Sequence, residues 1–161
     1  MPFKILSLFV ISILFIAGCK KDKSTIINVT VLSDVTKLAV SSTEVMLFSG
    51  GNGSSAKAVS SQTSGSDGKL SFTVSPDITY YLYIRYKTPT EANSAFIVVG
   101  KFTSQSQIDN IATPLQTPKP VVGDDMLADM DGDGKITSND KVVVVAPPAQ
   151  GSTVNATYSI K

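Results

Sequence analysis

The chain of 161 residues contains no histidine and no tryptophan, and its single cysteine is Cys19. Without histidine, Ser-His-Asp and Cys-His catalysis and the usual zinc sites are excluded. One cysteine allows no internal disulfide. An excess of either charge is missing too: 14 basic residues stand against 13 acidic ones, for a net charge of +1. The first 18 residues hold Lys4 as their one charged side chain, so their removal leaves a net charge of zero. That balance gives no electrostatic footprint for nucleic acid. What is present, 42% hydrophobic and 17% charged residues, suits one globular domain once the N-terminus is removed.

The N-terminus reads as an address. Met1-Pro2-Phe3-Lys4 is a short basic start, and Ile5 to Ala17 is an uninterrupted run of apolar and small residues. The run is too short to span a bilayer, which takes about 20 residues, and fits the apolar region of a signal peptide. It ends in Ile16-Ala17-Gly18-Cys19, which resembles the lipobox of bacterial lipoproteins. The resemblance implies residues 1–18 as a lipoprotein signal peptide and Cys19 as a lipidated anchor. Residues 19–24, with Lys20, Lys21, Asp22 and Lys23, are then a solvated tether. Each buried CH₂ of the acyl chains contributes about 0.8 kcal/mol, so several chains hold the protein on a membrane. Lys20 rather than Asp follows the cysteine, so the retention signal of some inner-membrane lipoproteins is missing. The Lys/Asp-rich start resembles lipoproteins displayed by polysaccharide-foraging bacteria, which implies the outer membrane, facing the periplasm or the cell surface.

Near the C-terminus, residues 129–140 place aspartates at positions 1, 3, 5 and 12 of a twelve-residue loop: Asp129, Asp131, Asp133 and Asp140. This is the spacing of an EF-hand calcium loop. A chain wrapping a spherical cation presents alternate residues to it, so the first three carboxylates each send an oxygen inward. Gly134 at position 6 supplies the sharp turn that a Cβ would oppose. Lys135 at position 7 offers its backbone carbonyl and keeps its ammonium in solvent. Ile136 at position 8 is expected to pin the loop to the core. Thr137 at position 9 ligates directly or through water, and Asp140 closes the shell. Hard oxygen donors in this number suit Ca²⁺ better than Mg²⁺, which keeps more of its own water. Asp140 replaces the usual Glu and reaches the metal less easily as a bidentate ligand. In this the stretch resembles the dockerin family, whose loops follow Asp-x-Asp/Asn-x-Asp-Gly-x-Ile/Val-x-x-x-Asp. Dockerins carry two loops leading into apolar helices, whereas here one loop leads into Lys141-Val142-Val143-Val144-Val145.

Residues 25–161 read as a β-sandwich domain containing this loop, because apolar residues recur with period two between turn signals. Ile27, Val29 and Val31 alternate on a first strand, and Val45 and Leu47 share a face of a second. Ala56 to Thr63 reads as a weaker strand, placed at an edge. Asp67-Gly68 is a hairpin signal. Beyond it, Lys69 to Val74 alternates cleanly. Tyr80, Leu82 and Ile84 share one face of the next strand, opposite Tyr81, Tyr83 and Arg85. Ala95 to Phe102 reads as one further strand, Ile108 and Ile111 as a patch on the core, and Asp124 to Ala128 as a helical turn. Ser138 or Asn139 is expected to cap a turn, four valines favour a strand, and Thr153 to Ile160 closes the fold.

Over about Ile26 to Tyr86, Ser66-Asp67-Gly68-Lys69-Leu70-Ser71-Phe72 followed by Ser75-Pro76-Asp77-Ile78-Thr79-Tyr80-Tyr81-Leu82 resembles the prealbumin-like repeat found beside carboxypeptidases and in many bacterial surface proteins. The resemblance implies an all-β, prealbumin-like sandwich with an inserted calcium loop, of a family that generally acts as a structural or adhesive module. The leading expectation is thus a lipid-anchored, calcium-stabilised, non-catalytic binding or accessory module, with an extracellular protein or glycan as partner. The alternative is a dockerin-like module in a surface polysaccharide-utilisation assembly. Paired carboxylates suffice for glycoside cleavage, and Glu44 and Glu91 are available, but the concentrated acids are better explained as metal ligands. Tyr81, Tyr83 and Tyr86 offer stacking faces for sugars, but tyrosines are frequent on ordinary strands and the structural reading is favoured. Asn28-Val29-Thr30 and Asn155-Ala156-Thr157 match the N-glycosylation pattern and are read as ordinary strand residues.

Overall fold

The computed structural model describes residues 23–49, 57–85, 87–110 and 118–161. The signal segment, Cys19, the glycine-rich stretch 50–56, Tyr86 and Ile111 lie outside the described residues. Among the described residues ten strands form, and the fold is an all-β sandwich. One sheet has the order β10-β1-β4, built from β1 (Thr25–Ser33), β4 (Lys69–Val74) and β10 (Thr153–Ile160). The other has the order β3-β2-β5-β9-β6, from β2 (Glu44–Ser49), β3 (Lys57–Thr63), β5 (Tyr80–Tyr83), β6 (Ser94–Phe96) and β9 (Lys141–Val145). A two-stranded ribbon joins β7 (Val98–Lys101) to β8 (Asp125–Leu127), and a short helix α1 spans Gln105–Asp109.

Alternation fixes the inner faces. Ile27, Val29 and Val31 of β1, Phe72 of β4, Val45 and Leu47 of β2, Leu82 of β5, Val143 and Val145 of β9, and Tyr158 and Ile160 of β10 pack into one core. The odd residues of β1 enter it because successive side chains of a strand point to opposite faces. β9 departs from alternation for a physical reason. Val143 and Val145 face this core, while Val142 is fully buried in a second cluster on the other side of the sheet. A strand covered on both faces reads as a continuous apolar run.

Two phenols tie loops to this frame. The Tyr80 hydroxyl accepts from Ser75 N and donates to Ser75 O, both at 3.1 Å, and so holds the Ser75-Pro76-Asp77 turn. The Tyr158 hydroxyl accepts from Ile84 N at 3.4 Å, and burial pushes the phenol's pKa up. β1 lies antiparallel to β4 and parallel to β10, with Ile27 opposite Val154 and Val31 opposite Tyr158.

Three sequence expectations are corrected. Asp67-Gly68 does not close a hairpin: β3 pairs with β2 and β4 with β1, so the turn carries the chain from one sheet to the other. It is closed instead by Gly68 N to Gly65 O and Gly65 N to Lys69 O, each 3.0 Å. The expected strand from Ala95 to Phe102 breaks at Ile97. Its first part pairs with β9 and its second with β8. Ile97 itself is buried in the second cluster. Within Asp124 to Ala128, Asp125–Leu127 forms a strand rather than a helical turn, because β8 pairs with β7 (Val98 opposite Leu127). Elsewhere β3 is an edge strand as expected, and Ile108 is buried. Among the described residues no helix is long and apolar enough to cross a membrane.

Candidate metal centre

The acidic loop is the connection from β8 to β9. It is held from both ends. Ala128 and Met130 pack on the second apolar cluster, and Ala128 N donates to Ile97 O at 2.9 Å. Ile136, the expected apolar pin, is half-buried and belongs to neither cluster. At the far end Ser138–Asp140 forms a 3-10 turn, N-capped by Thr137. The Thr137 hydroxyl accepts from Asn139 N at 3.1 Å, and Asp140 Oδ2 accepts from Thr137 N at 2.6 Å. The cap is therefore Thr137, one residue before Ser138 and two before Asn139.

Within the loop the carboxylates are oriented by backbone amides. Asp129 accepts from Gly132 N at 2.7 Å through Oδ1 and from Gly134 N at 2.8 Å through Oδ2. Asp131 Oδ1 accepts from Asp133 N at 3.1 Å, and Asp133 Oδ1 from Lys135 N at 2.8 Å. Gly134 has φ +80°, the left-handed conformation its position demands. One oxygen from each of Asp129, Asp131 and Asp133 lies within 4.8 Å of the others. Oxygens bound to Ca²⁺ at about 2.3–2.6 Å are at most about 5.2 Å apart, so the three fit one coordination sphere. Asp131 is largely buried; that burial pushes its carboxyl up, the amide of Asp133 opposes the shift, and the neighbouring Asp140, Asp133 and Asp129 add to it.

Asp140 is not in the set of three. It is completely buried, and its Oδ1 accepts from Met130 N at 2.7 Å while Oδ2 takes Thr137 N. Position 12 thus ties the first turn of the loop to the last. The signal for this role was in the sequence: Thr137-x-x-Asp140 is a variant of the reciprocal capping motif, in which the third residue's carboxylate returns to the cap amide. Lys135 and Thr137 stand at positions 7 and 9 of the same loop, Lys135 exposed and Thr137 half-buried.

The other candidate residues are structural or superficial. Tyr83 is fully buried in the second cluster and Tyr81 packs against it, so they do not form an open stacking platform. Glu44 accepts from the Ser61 hydroxyl at 2.6 Å and Glu91 from that of Ser159 at 3.1 Å.

Fold and loop together define an all-β sandwich whose β8–β9 connection gathers three carboxylates. No family model matches the chain, and neither does any curated protein. Among solved structures it is similar to a 9R-lipoxygenase from Cyanothece PCC8801, with 8% identity over 86% of this chain and 16% of that one, at a TM-score of 0.36. It is also similar to the group B streptococcus pilus 2b backbone protein, with 14% identity over 85% of this chain and 40% of that one, again at 0.36. The chain thus spans less than half the length of either. One is named as an enzyme and the other as a pilus backbone, so they favour neither reading, and the fold assignment rests on strand order and core.

Proposed function

We propose that the chain is a lipid-anchored protein of the bacterial cell envelope, whose prealbumin-like sandwich is stapled by calcium and serves as a non-catalytic binding or accessory module. The convergence of Asp129, Asp131 and Asp133 carries the reading. The donor set is all oxygen and all carboxylate, which fits a hard divalent cation. Lys135 through its carbonyl, Thr137, and Asp140 through a second lone pair are the residues that would complete the shell. The ion would neutralise clustered charge and fix a long connection that is otherwise costly to order. The loop is entered from β8 and left into β9, so apolar helices of the kind a dockerin would present do not flank it.

Thermal melts of the detergent-solubilised chain in millimolar calcium and in chelator test the metal. With calcium at about 100 times its dissociation constant the gain is about 2.7 kcal/mol, a rise of several degrees for a domain of this size. Asp129→Ala and Asp133→Ala abolish the rise; a midpoint indifferent to calcium in the unaltered chain sinks the reading. The anchor is tested separately. Cys19→Ser is expected to lose incorporation of an alkyne-tagged fatty acid and to move the protein from the membrane to the soluble fraction. Retained label on the serine variant would place the acyl chains elsewhere.

A further inference from the structure

Among the described residues β3, β4, β6 and β10 are the edge strands of the two sandwich sheets. An unpaired edge is a template for another extended chain, and edges are ordinarily blunted by shortness, charge, proline or a bulge. β6 has three residues, β3 loses register with β2 between Leu47 and Phe48, and β4 opens with the exposed Lys69. β10 has none of these devices. Its eight residues hold no charge and no proline. It runs in unbroken register along β1, from Thr153 opposite Ile26 to Ile160 opposite Ser33.

The backbone of β10 makes that edge usable. In a parallel pair a residue bonds the two neighbours of its partner, and the partner itself turns its N–H and C=O away. Ile26 N donates to Ser152 O at 3.0 Å and Asp34 N to Ile160 O at 2.6 Å, so the even-numbered residues of β10 serve β1. Thr153, Asn155 and Thr157 therefore point their backbone groups outward, and all three are exposed. Beside them a cleft of about 290 Å³ lies between β10 and β9, lined by Val143, Val145, Val154, Ala156, Asn93 and Glu91 among others. Its β9 wall is already satisfied: Val144 N donates to Asn93 O at 3.3 Å, and Val144 O accepts from Asn93 Nδ2 at 2.6 Å. On the β10 wall Val154 and Ala156 are only half-buried against the core. Among the described residues Glu91 is the cleft's one charged side chain, and its carboxylate accepts from the Ser159 hydroxyl.

We infer that β10 is a docking edge for an extended peptide segment of a partner protein, which adds as a further strand to the β10-β1-β4 sheet. Its alternate small apolar side chains cover Val154 and Ala156, and a basic residue meets Glu91. In strand addition the main-chain bonds give affinity and the alternate side chains give specificity. A second copy of this chain fits the edge less well. Its β10 brings no basic residue to Glu91. Two-fold pairing of two β10 strands is also antiparallel, which sends the Lys23 ends of the two copies in opposite directions, against a shared membrane. The inference rests on the reading of the chain as a binding module and names its class of ligand; it does not depend on calcium.

The probe is a library of random peptides displayed on phage, selected on the full chain in detergent, with the enriched sequences then made as free peptides. Expected are sequences that alternate Val, Ile, Thr or Ala with polar residues and carry Lys or Arg. By NMR the Thr153, Asn155 and Thr157 amides are expected to exchange quickly in the free chain and roughly tenfold or more slowly with peptide bound, while those of Val154 and Ala156 stay protected throughout. Methylation of alternate peptide nitrogens isolates the backbone pairing: one set of methyl groups abolishes binding and the other is tolerated. Thr157→Pro removes an outward N–H that β1 does not use, so it is expected to keep the melting midpoint and weaken binding roughly tenfold or more. Glu91→Gln is expected to weaken the basic peptides several-fold. A selection that enriches no alternating sequence overturns the inference, as do peptides that tolerate both sets of methyl groups, whatever the proline variant does. Protection of Thr153, Asn155 and Thr157 that appears without peptide and grows with protein concentration gives the edge to a second copy and overturns it too. The calcium melts and the Cys19→Ser labelling stand or fall independently of these results.

Discussion

Gly68→Ala is expected to lower the melting temperature by roughly 10 °C, more than a left-handed backbone alone explains. Gly68 has φ +70°, which costs a residue with a Cβ about 1–2 kcal/mol. A Cβ built there also meets Val31 O at 2.6 Å, Ala39 Cβ at 3.0 Å and Val40 N at 3.2 Å. None of these neighbours is a flexible side-chain end. Val31 accepts from Val40 N at 3.0 Å and donates to Gly68 O at 2.8 Å, so relief of the clash disturbs the end of β1. Overpacking of this kind adds about 1–3 kcal/mol. Gly134→Ala is the internal control, because its φ is +80° with nothing within 4 Å of the added carbon. Measured in chelator, the control is expected to lose only the conformational part, about 1–2 kcal/mol. Equal losses in the two variants would show that the approach of Gly68 to β1 is relieved at no cost.

That contrast also marks where sequence reasoning stops. Asp67-Gly68 announced a turn with positive φ, and the turn is there, but the dipeptide says nothing about which strands it joins. The partner of β4 is chosen by β1, whose Ile27 lies opposite Phe72. Alternation made the inner faces of β1, β4 and β10 legible, since a strand with one wet face must segregate its side chains, and it also turned Val45 and Leu47 of β2 and Tyr80 and Leu82 of β5 inward, although the outer faces of those two strands are covered by the second cluster. It failed from Ala95 to Lys101, where apolar residues run on without a turn signal while the chain leaves one sheet for another at Ile97. It failed again at Asp125–Leu127, a strand too short to show a period and formed only because β7 lies beside it. The parallel pairing of β1 with β10 left no local trace. In the candidate site, spacing alone foretold that Asp129, Asp131 and Asp133 come together. It did not foretell what Asp140 does, because a position-12 acid and a capping acid occupy the same place in the chain.

Asp140→Ala is expected to destabilise the chain by about 3–4 kcal/mol in chelator, before any metal is considered. The carboxylate is completely buried and receives two amides, Met130 N at 2.7 Å and Thr137 N at 2.6 Å. Truncation leaves both donors without their acceptor, and each such loss costs about 1–3 kcal/mol. Asp140→Asn keeps the shape and one acceptor oxygen but turns an NH₂ toward the other amide, so it recovers part of the loss. Asp133 gives the opposite pattern. It is exposed and takes one amide, Lys135 N. Asp133→Ala in chelator is therefore expected to leave the midpoint within about 2 °C of the unaltered chain, and in calcium to forfeit the added stability. Thermal melts of the three variants with and without calcium separate the two kinds of acid. A loss at Asp140 that appears only when calcium is present would make it a ligand with no part in closing the loop. A loss at Asp133 of the same size in chelator would make the acidic turn a hydrogen-bonded scaffold that stands without an ion.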